Sequence, residues 1–480
     1  MNDYPALSLC IDGKWIEKAS AGSRPVINPA SGLELGQLPL AGEEELALAA
    51  EAAARGFERW RRTPPQARRD ILLQTARLLR ERIYPIARII TREQGKPLAE
   101  SQREIMAAAE TLDFFAEEGA RIGGRLVPPR GEAVLMQAVT RVPVGPAALF
   151  TPWNFPLNLP ARKLGAALAA GCSAVIKPSE EAPGSAIALA RAFHDAGLPP
   201  GVLNLVCGEP QQVADRLIGH PAIRKVSFTG SIAVGKRLGE QCARGVKRFT
   251  AEMGGHAPVL VMADADAGKA ARLALAAKFR NAGQVCAAPT RFFVHRSLFK
   301  PFVEAFVAGA FGLRIGDGVV YGIEMGPLSH DRRLDAMKAL VKDALACGAK
   351  LACGGKRMPI GGYFYMPTVL TEVPDAACVM QEEPFGPIAV INPWDDLEET
   401  LARANALPYA LSAFLFTRDL AQAHELAARL EAGVVGVNHF SITQPDAPFG
   451  GLKESGQGSE NGPEGLAAYL DTKLISLARP

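Results

Sequence analysis

Four stretches of the chain carry side chains that could do chemistry. Cys286 stands in KFRNAGQVCAAPTRFF (278–293), where an apolar helical run ends at Phe279 and Gly283 breaks the pattern. It is either a small packed hydrophobe, one of eight cysteines, or a thiol nucleophile whose pKa a nearby helix terminus can lower. Glu252 in AEMGG closes an apolar run, and the two glycines after it allow close backbone approach. Asn154, beside Trp153 and between two prolines in FTPWNFPLNLPARK (150–163), is a turn former or an amide donor. In FTGSIAVG (228–235), Gly230-Ser231 opens a helix whose free N–H groups can take a pyrophosphate.

These residues need elements to hold them. Apolar spacing of three and four predicts helices over 43–60, 64–95 and 98–118, with Pro64-Pro65 at a helix start. The β-like AVLMQAVTRV lies alone between Pro-rich flanks and reads as a protruding hairpin arm. Then PAALF (146–150), SAVIK (173–177), VLNLV (202–206), KVSFT (225–229) and VKRFT (246–250) alternate with helical stretches. Continuous apolar strands at that spacing predict βαβ units and a doubly wound parallel sheet. Asn154 and Gly230-Ser231 then fall beyond the carboxyl ends of strands, where such sheets bind ligands. A second α/β region follows over about 254–440, and the chain closes with a Gly-rich stretch and the strand-like KLISLA.

A chain of 480 residues exceeds one hydrophobic core, so two or more domains are expected. Its 48% hydrophobic and 21% charged residues are those of a globular protein. The net charge of +3 without a basic run argues against nucleic acid or an acidic membrane surface as partner. No C-x-x-C pair occurs, which points to free thiols in a reducing compartment. The start, MNDYPALSLCIDGKWIEK, has no basic region followed by an apolar one, and GAALAAGCSAVI (165–176) is too short to span a bilayer. A cytoplasmic location is expected.

TPWNFP, KPSE, FTGSIAVG, AEMGG, GQVC and EEPFGP occur in this order, with Glu252 and Cys286 34 positions apart. This set resembles the NAD(P)-dependent aldehyde dehydrogenase superfamily, from roughly residue 12 to the C-terminus. The resemblance implies an α/β fold: a Rossmann-type NAD-binding domain (1–122 and 144–253), a catalytic α/β domain (254–455) and a β-arm for oligomerisation (123–143 and 456–480). It implies that Cys286 is the nucleophile, forming a hemithioacetal and then a thioester. Asn154 and the Cys286 backbone N–H would stabilise the oxyanion, and Glu252 would activate water. Coenzyme-A-acylating relatives generally lack that base, so release of a free acid is favoured. Trp153, Lys177, Ser179, Glu180, Gly230, Ser231, Gly235, Glu383 and Phe385 match cofactor-contacting positions. Glu180 would accept from ribose hydroxyls and repel a 2′-phosphate, favouring NAD with NADP still possible. No metal is expected.

The substrate end resembles the succinate-semialdehyde dehydrogenase branch, which carries arginines at the positions of Arg162 and Arg280. Two guanidiniums would hold the far carboxylate of a semialdehyde. Ala288 replaces a second cysteine often found there, and Thr443 in NHFSITQPDAPFGG stands where a serine commonly helps. A bulkier α-ketoglutaric semialdehyde therefore stays open, as does a broad or aromatic aldehyde with both arginines structural. A catalytically silent homologue is the remaining alternative. Lys163 reads as an ordinary solvated helix residue. A homodimer or homotetramer joined through the arm is implied.

Overall fold

The computed structural model describes residues 4–131 and 133–479. Five short apolar runs pair in parallel, side by side in the order Leu203–Leu205, Ala174–Lys177, Ala147–Phe150, Lys225–Gly230 and Arg248–Met253. Helices cover both faces, which is why these strands read as continuous apolar runs rather than alternating ones. The chain moves outward from Ala147–Phe150 to Leu203–Leu205, then returns to place Lys225–Gly230 on the other side of its first strand. That reversal opens a crevice at the carboxyl ends of Ala147–Phe150 and Lys225–Gly230.

The first core gathers residues from Tyr4 to Met253 together with Leu466 and Tyr469, and a second gathers residues from Ala257 to Leu430. The second surrounds a seven-stranded sheet in which Ala257–Val261 and Pro289–His295 lie centrally and in parallel. The helix Ala267–Phe279 between them starts on Asp266, whose carboxylate accepts from Lys269 N at 2.9 Å. Its far end delivers the chain to Cys286.

Two expectations shift in detail. The stretch 64–95 forms two helices, Pro65–Glu81 and Ile83–Gln94, because Arg82 leaves helical geometry at φ −100°, ψ 20°. Of 456–480, only Leu470–Ala478 joins the arm, pairing antiparallel with Val134–Pro143. Gly456–Gln457 instead pairs with Arg248–Met253 at the edge of the first sheet, and Gly462–Ala467 forms a short helix packed on the helices Asn158–Ala170 and Leu98–Gly119.

Candidate active site

A cavity of about 1230 Å³ opens at that crevice and reaches into the second core. Trp153, Asn154, Gly230, Ser231 and Glu252 line it from the first sheet, Cys286, Glu383 and Phe385 from the second, and Arg162, Arg280 and Thr443 complete the wall. Lys177, Ser179, Glu180 and Gly235 lie outside this lining.

The turn before Cys286 is conformationally expensive. Arg280 ends the helix, and Asn281, Ala282 and Gly283 follow with φ of 50°, 53° and 74°. Left-handed backbone at two non-glycine residues costs on the order of 1–3 kcal/mol each and persists only where surroundings enforce it. A Cβ at Gly283 would collide with the Gly386 carbonyl, and one at Gly255 would come 2.7 Å from the Cys286 carbonyl oxygen. The glycines thus let three segments close around the thiol. Burial raises the Cys286 pKa, as do Glu252 and Glu383, while Arg162 opposes them.

Asn154 is 2% exposed. Its Nδ2 donates to the Gln284 carbonyl at 3.1 Å, which orients the amide toward the turn that carries the thiol and leaves it a second N–H. Glu252 faces the cavity with both carboxylate oxygens buried, and among the described residues no donor reaches either one. Burial, then the neighbouring Glu460, pushes its pKa well above the carboxylate range.

Glu460 is held by Lys163, and here the structure corrects an expectation. Lys163 is 1% exposed, not solvated; its Nζ donates to Ser227 Oγ at 2.9 Å and forms an ion pair with Glu460. The signal was present, because the helix Asn158–Ala170 has no polar stripe and is buried on every face.

At the other end of the cavity, Trp153 meets Phe385 edge-on at 5.4 Å and His330 at 5.4 Å. Glu383 Oε1 accepts from Gly255 N at 3.2 Å. Burial raises the Glu383 pKa to about 8 against the pull of Arg333 and Lys278. His330 and Arg333 have no motif around them in the sequence, and Lys278 opens the Cys286 stretch with nothing local to give it a role.

The sequence matches the aldehyde dehydrogenase family over residues 15–475. The chain belongs to that family. It is an NAD(P)-dependent aldehyde dehydrogenase with succinate-semialdehyde dehydrogenases among its relatives. It is 45% identical over 472 residues to a 4-(hydroxymethyl)benzenesulfonate dehydrogenase of Comamonas testosteroni, covering 98% of each chain. It is 41% identical to the succinate-semialdehyde dehydrogenase [NADP(+)] of Escherichia coli, covering 97% of each. The crystal structure of succinate-semialdehyde dehydrogenase from Burkholderia pseudomallei superposes with a TM-score of 0.97 at 40% identity, over 99% of this chain and 98% of that one.

An aldehyde dehydrogenase must hold a dinucleotide, and the residues present fit one. The helix Ile232–Arg244 begins after Ser231 with its first N–H groups free of intrahelical partners, facing the cavity. Gly235 sits one turn on, where a Cβ would run into Met253 Sδ, so it serves close packing of helix on strand. Lys177 Nζ lies 2.5 Å from Glu180 Oε1, which also accepts from Gly208 N at 3.4 Å. That buried pair stands at the carboxyl end of Ala174–Lys177, beside the crevice.

Toward the substrate, Arg162 is 8% exposed, its Nε has no partner, and it lies 5.5 Å from the Phe449 ring centre. It forms no ion pair among the described residues. Arg280 and Thr443 are exposed at the mouth, with the Arg280 guanidinium 5.5 Å from the Phe155 ring centre.

Proposed function

We propose that this enzyme oxidises an aldehyde with an anionic tail to the carboxylic acid, with succinic semialdehyde as the first candidate. The observation that carries this reading is Arg162: a guanidinium buried in the cavity wall with no ion pair among the described residues, which Glu252 reaches only at longer range. A buried charge without a counter-ion is costly, and an anionic ligand would remove that cost. Arg280 and Thr443 at the mouth would add donors. The relative named for a benzenesulfonate supports a second reading, in which the tail is a sulfonate on an aromatic ring. An α-ketoglutaric semialdehyde fits the same charge logic.

In this reading Cys286 gives its proton to water in the cavity, its Sγ thiolate attacks the carbonyl carbon, and the oxygen charge falls on Asn154 Nδ2–H and the Cys286 N–H. NAD(P) supplies the hydride acceptor when bound. Trp153, Glu383 and Phe385 would hold its nicotinamide end, Ser231 with the helix N-terminus its pyrophosphate, and Lys177 with Glu180 its adenosine ribose. Glu252 then takes a proton from water, whose oxygen attacks the thioester carbon and releases the acid and the thiol. Glu180 supports a preference for NAD, since its carboxylate would repel a 2′-phosphate.

Initial rates of NADH formation with succinic semialdehyde, 4-formylbenzenesulfonate and butanal test this. The two anionic aldehydes should outrun butanal in kcat/KM, and NAD should exceed NADP. Arg162→Met should lower kcat/KM for the anionic pair by about 10- to 150-fold, the value of a hydrogen bond to a charged group, and spare butanal. Parallel losses on all three aldehydes would make Arg162 structural and end the anionic-tail assignment.

A further inference from the structure

Nothing in the reaction as described uses Lys96, yet it is among the most deeply buried charges in the molecule. It lies in the short Gly95-Lys96-Pro97 link between the helices Ile83–Gln94 and Leu98–Gly119. Its side chain is 0% exposed, and its ammonium makes three contacts. It donates to Glu104 Oε2 at 2.6 Å, donates to the Asn154 backbone carbonyl at 2.7 Å, and lies 4.1 Å from the Phe155 ring centre.

Glu104 works on the same loop from its other oxygen. Its Oε1 accepts from Leu157 N at 2.9 Å and Asn158 N at 3.1 Å, capping the otherwise open start of the helix Asn158–Ala170. One ion pair therefore pins the loop 154–158 at its carbonyl, at its ring and at two N–H groups. Fixing the Asn154 carbonyl fixes the peptide plane beside its Cα, and so the direction in which the side-chain amide leaves the backbone.

The neighbouring turn is tied to the same carbonyl. Asn281 Nδ2 donates to Asn154 O at 2.9 Å, and the Asn281 backbone N–H donates to Glu100 Oε2 at 3.0 Å. Glu100 and Glu104 lie one helical turn apart on Leu98–Gly119. A single helix face thus grips both the amide loop and the left-handed turn that ends at Cys286.

We propose that Lys96 and Glu104 are positioning residues: their buried ion pair sets the Asn154 amide against the reacting carbon. The proposal rests on the reading of Asn154 as the oxyanion donor. Burying the pair is expensive, and two well-packed apolar residues would serve stability as well. A placement role gives the charges a use that packing alone would not.

A double-mutant cycle tests it. Lys96→Met with Glu104→Gln removes both charges of the pair at once, leaves Glu100 with Arg280 and Arg103 as its cations, and keeps a glutamine carbonyl that can still accept from Leu157 and Asn158. The pre-steady-state burst of NADH reads acylation and hydride transfer, calorimetry reads folding, and fluorescence quenching reads NAD affinity. The double variant should slow the burst by about 100-fold, the usual effect of a misplacement near 1 Å, with NAD affinity unchanged within about twofold. In an Asn154→Ala background, the same pair of changes should alter the burst by less than about threefold, because the group it positions is gone. A full additional loss in that background, or a normal burst in the double variant, overturns the proposal while leaving Asn154 in its role. If Asn154→Ala alone retains the burst, Asn154 is not the oxyanion donor and both readings fall.

Discussion

A carboxyl group whose two oxygens accept no hydrogen bond holds its proton tightly, and Glu252 is such a group. Its pKa is raised first by burial and then by Glu460, which Lys163 keeps close. The sign for activity follows. Only the carboxylate can take a proton from water, so thioester hydrolysis should rise with pH, with its midpoint well above the ordinary carboxylate value of about 4.3. Single-turnover deacylation followed from pH 5 to pH 9 measures this. In Glu252→Gln the burst of NADH should persist, while deacylation slows by about 10²- to 10⁴-fold and loses that pH dependence. A burst that vanishes with unchanged deacylation would give Glu252 another task. Cys286, Asn154 and Glu252 stand out in the sequence through the ordered set of motifs that resembles the family; alone, Cys286 reads equally as a packed thiol. Lys163 and Glu460 do not stand out, since a lysine's burial depends on what packs around its helix. Lys96 and Glu104 escaped for the same reason: nothing local to Gly95-Lys96-Pro97 reveals that its ammonium ends under the Asn154 carbonyl.

At the scale of elements, the apolar runs from PAALF to VKRFT form the strands Ala147–Phe150 through Arg248–Met253, because a parallel strand covered on both faces must be apolar throughout. The break at Arg82 was hidden: apolar spacing continues across it, and only the backbone geometry separates the two helices. The turn Arg280–Gly283 was half visible. Gly283 announced a break, but left-handed Asn281 is held by a hydrogen bond to Glu100 on a distant helix, which no local pattern encodes. Gly283 makes a direct test of how far this turn governs the thiol. Its φ of 74° disfavours any side chain, and a Cβ there would meet backbone at Gly386, which cannot swing aside as a side chain would. Gly386 follows Phe385, so the strain would spread to the wall that carries Phe385 and Glu383. Gly283→Ala should cost more than about 1 kcal/mol of stability by this mechanism. It should also slow the burst and weaken NAD binding together, as seen by thermal unfolding, stopped-flow and fluorescence titration. A variant with unchanged melting and unchanged burst would show that the turn has slack.

At the scale of the whole molecule, the arm is the part least explained by one chain. Leu470–Ala478, Val134–Pro143 and Arg125–Val127 form a three-stranded sheet in that order, so among the described residues no strand pairs with the outer edge of Leu470–Ala478. Leu126 is 71% exposed, Leu474 58% and Leu477 47%. A small sheet with leucines in water and a bare edge is an aggregation hazard unless something covers it. Among the described residues no helix is long and apolar enough to cross a membrane. We propose that a second copy of the chain covers the arm, in a homodimer or a homotetramer. Sedimentation velocity at micromolar concentration should then show the full chain at two or four times its 51.0 kDa mass. Replacing Leu474 and Leu477 by Lys places charge on the proposed contact without touching either core. That variant should sediment as a smaller species, and its two hydrophobic cores should still melt cooperatively, since neither Leu474 nor Leu477 belongs to them. A full-length chain that stays monomeric at tens of micromolar would remove the arm from any role in assembly.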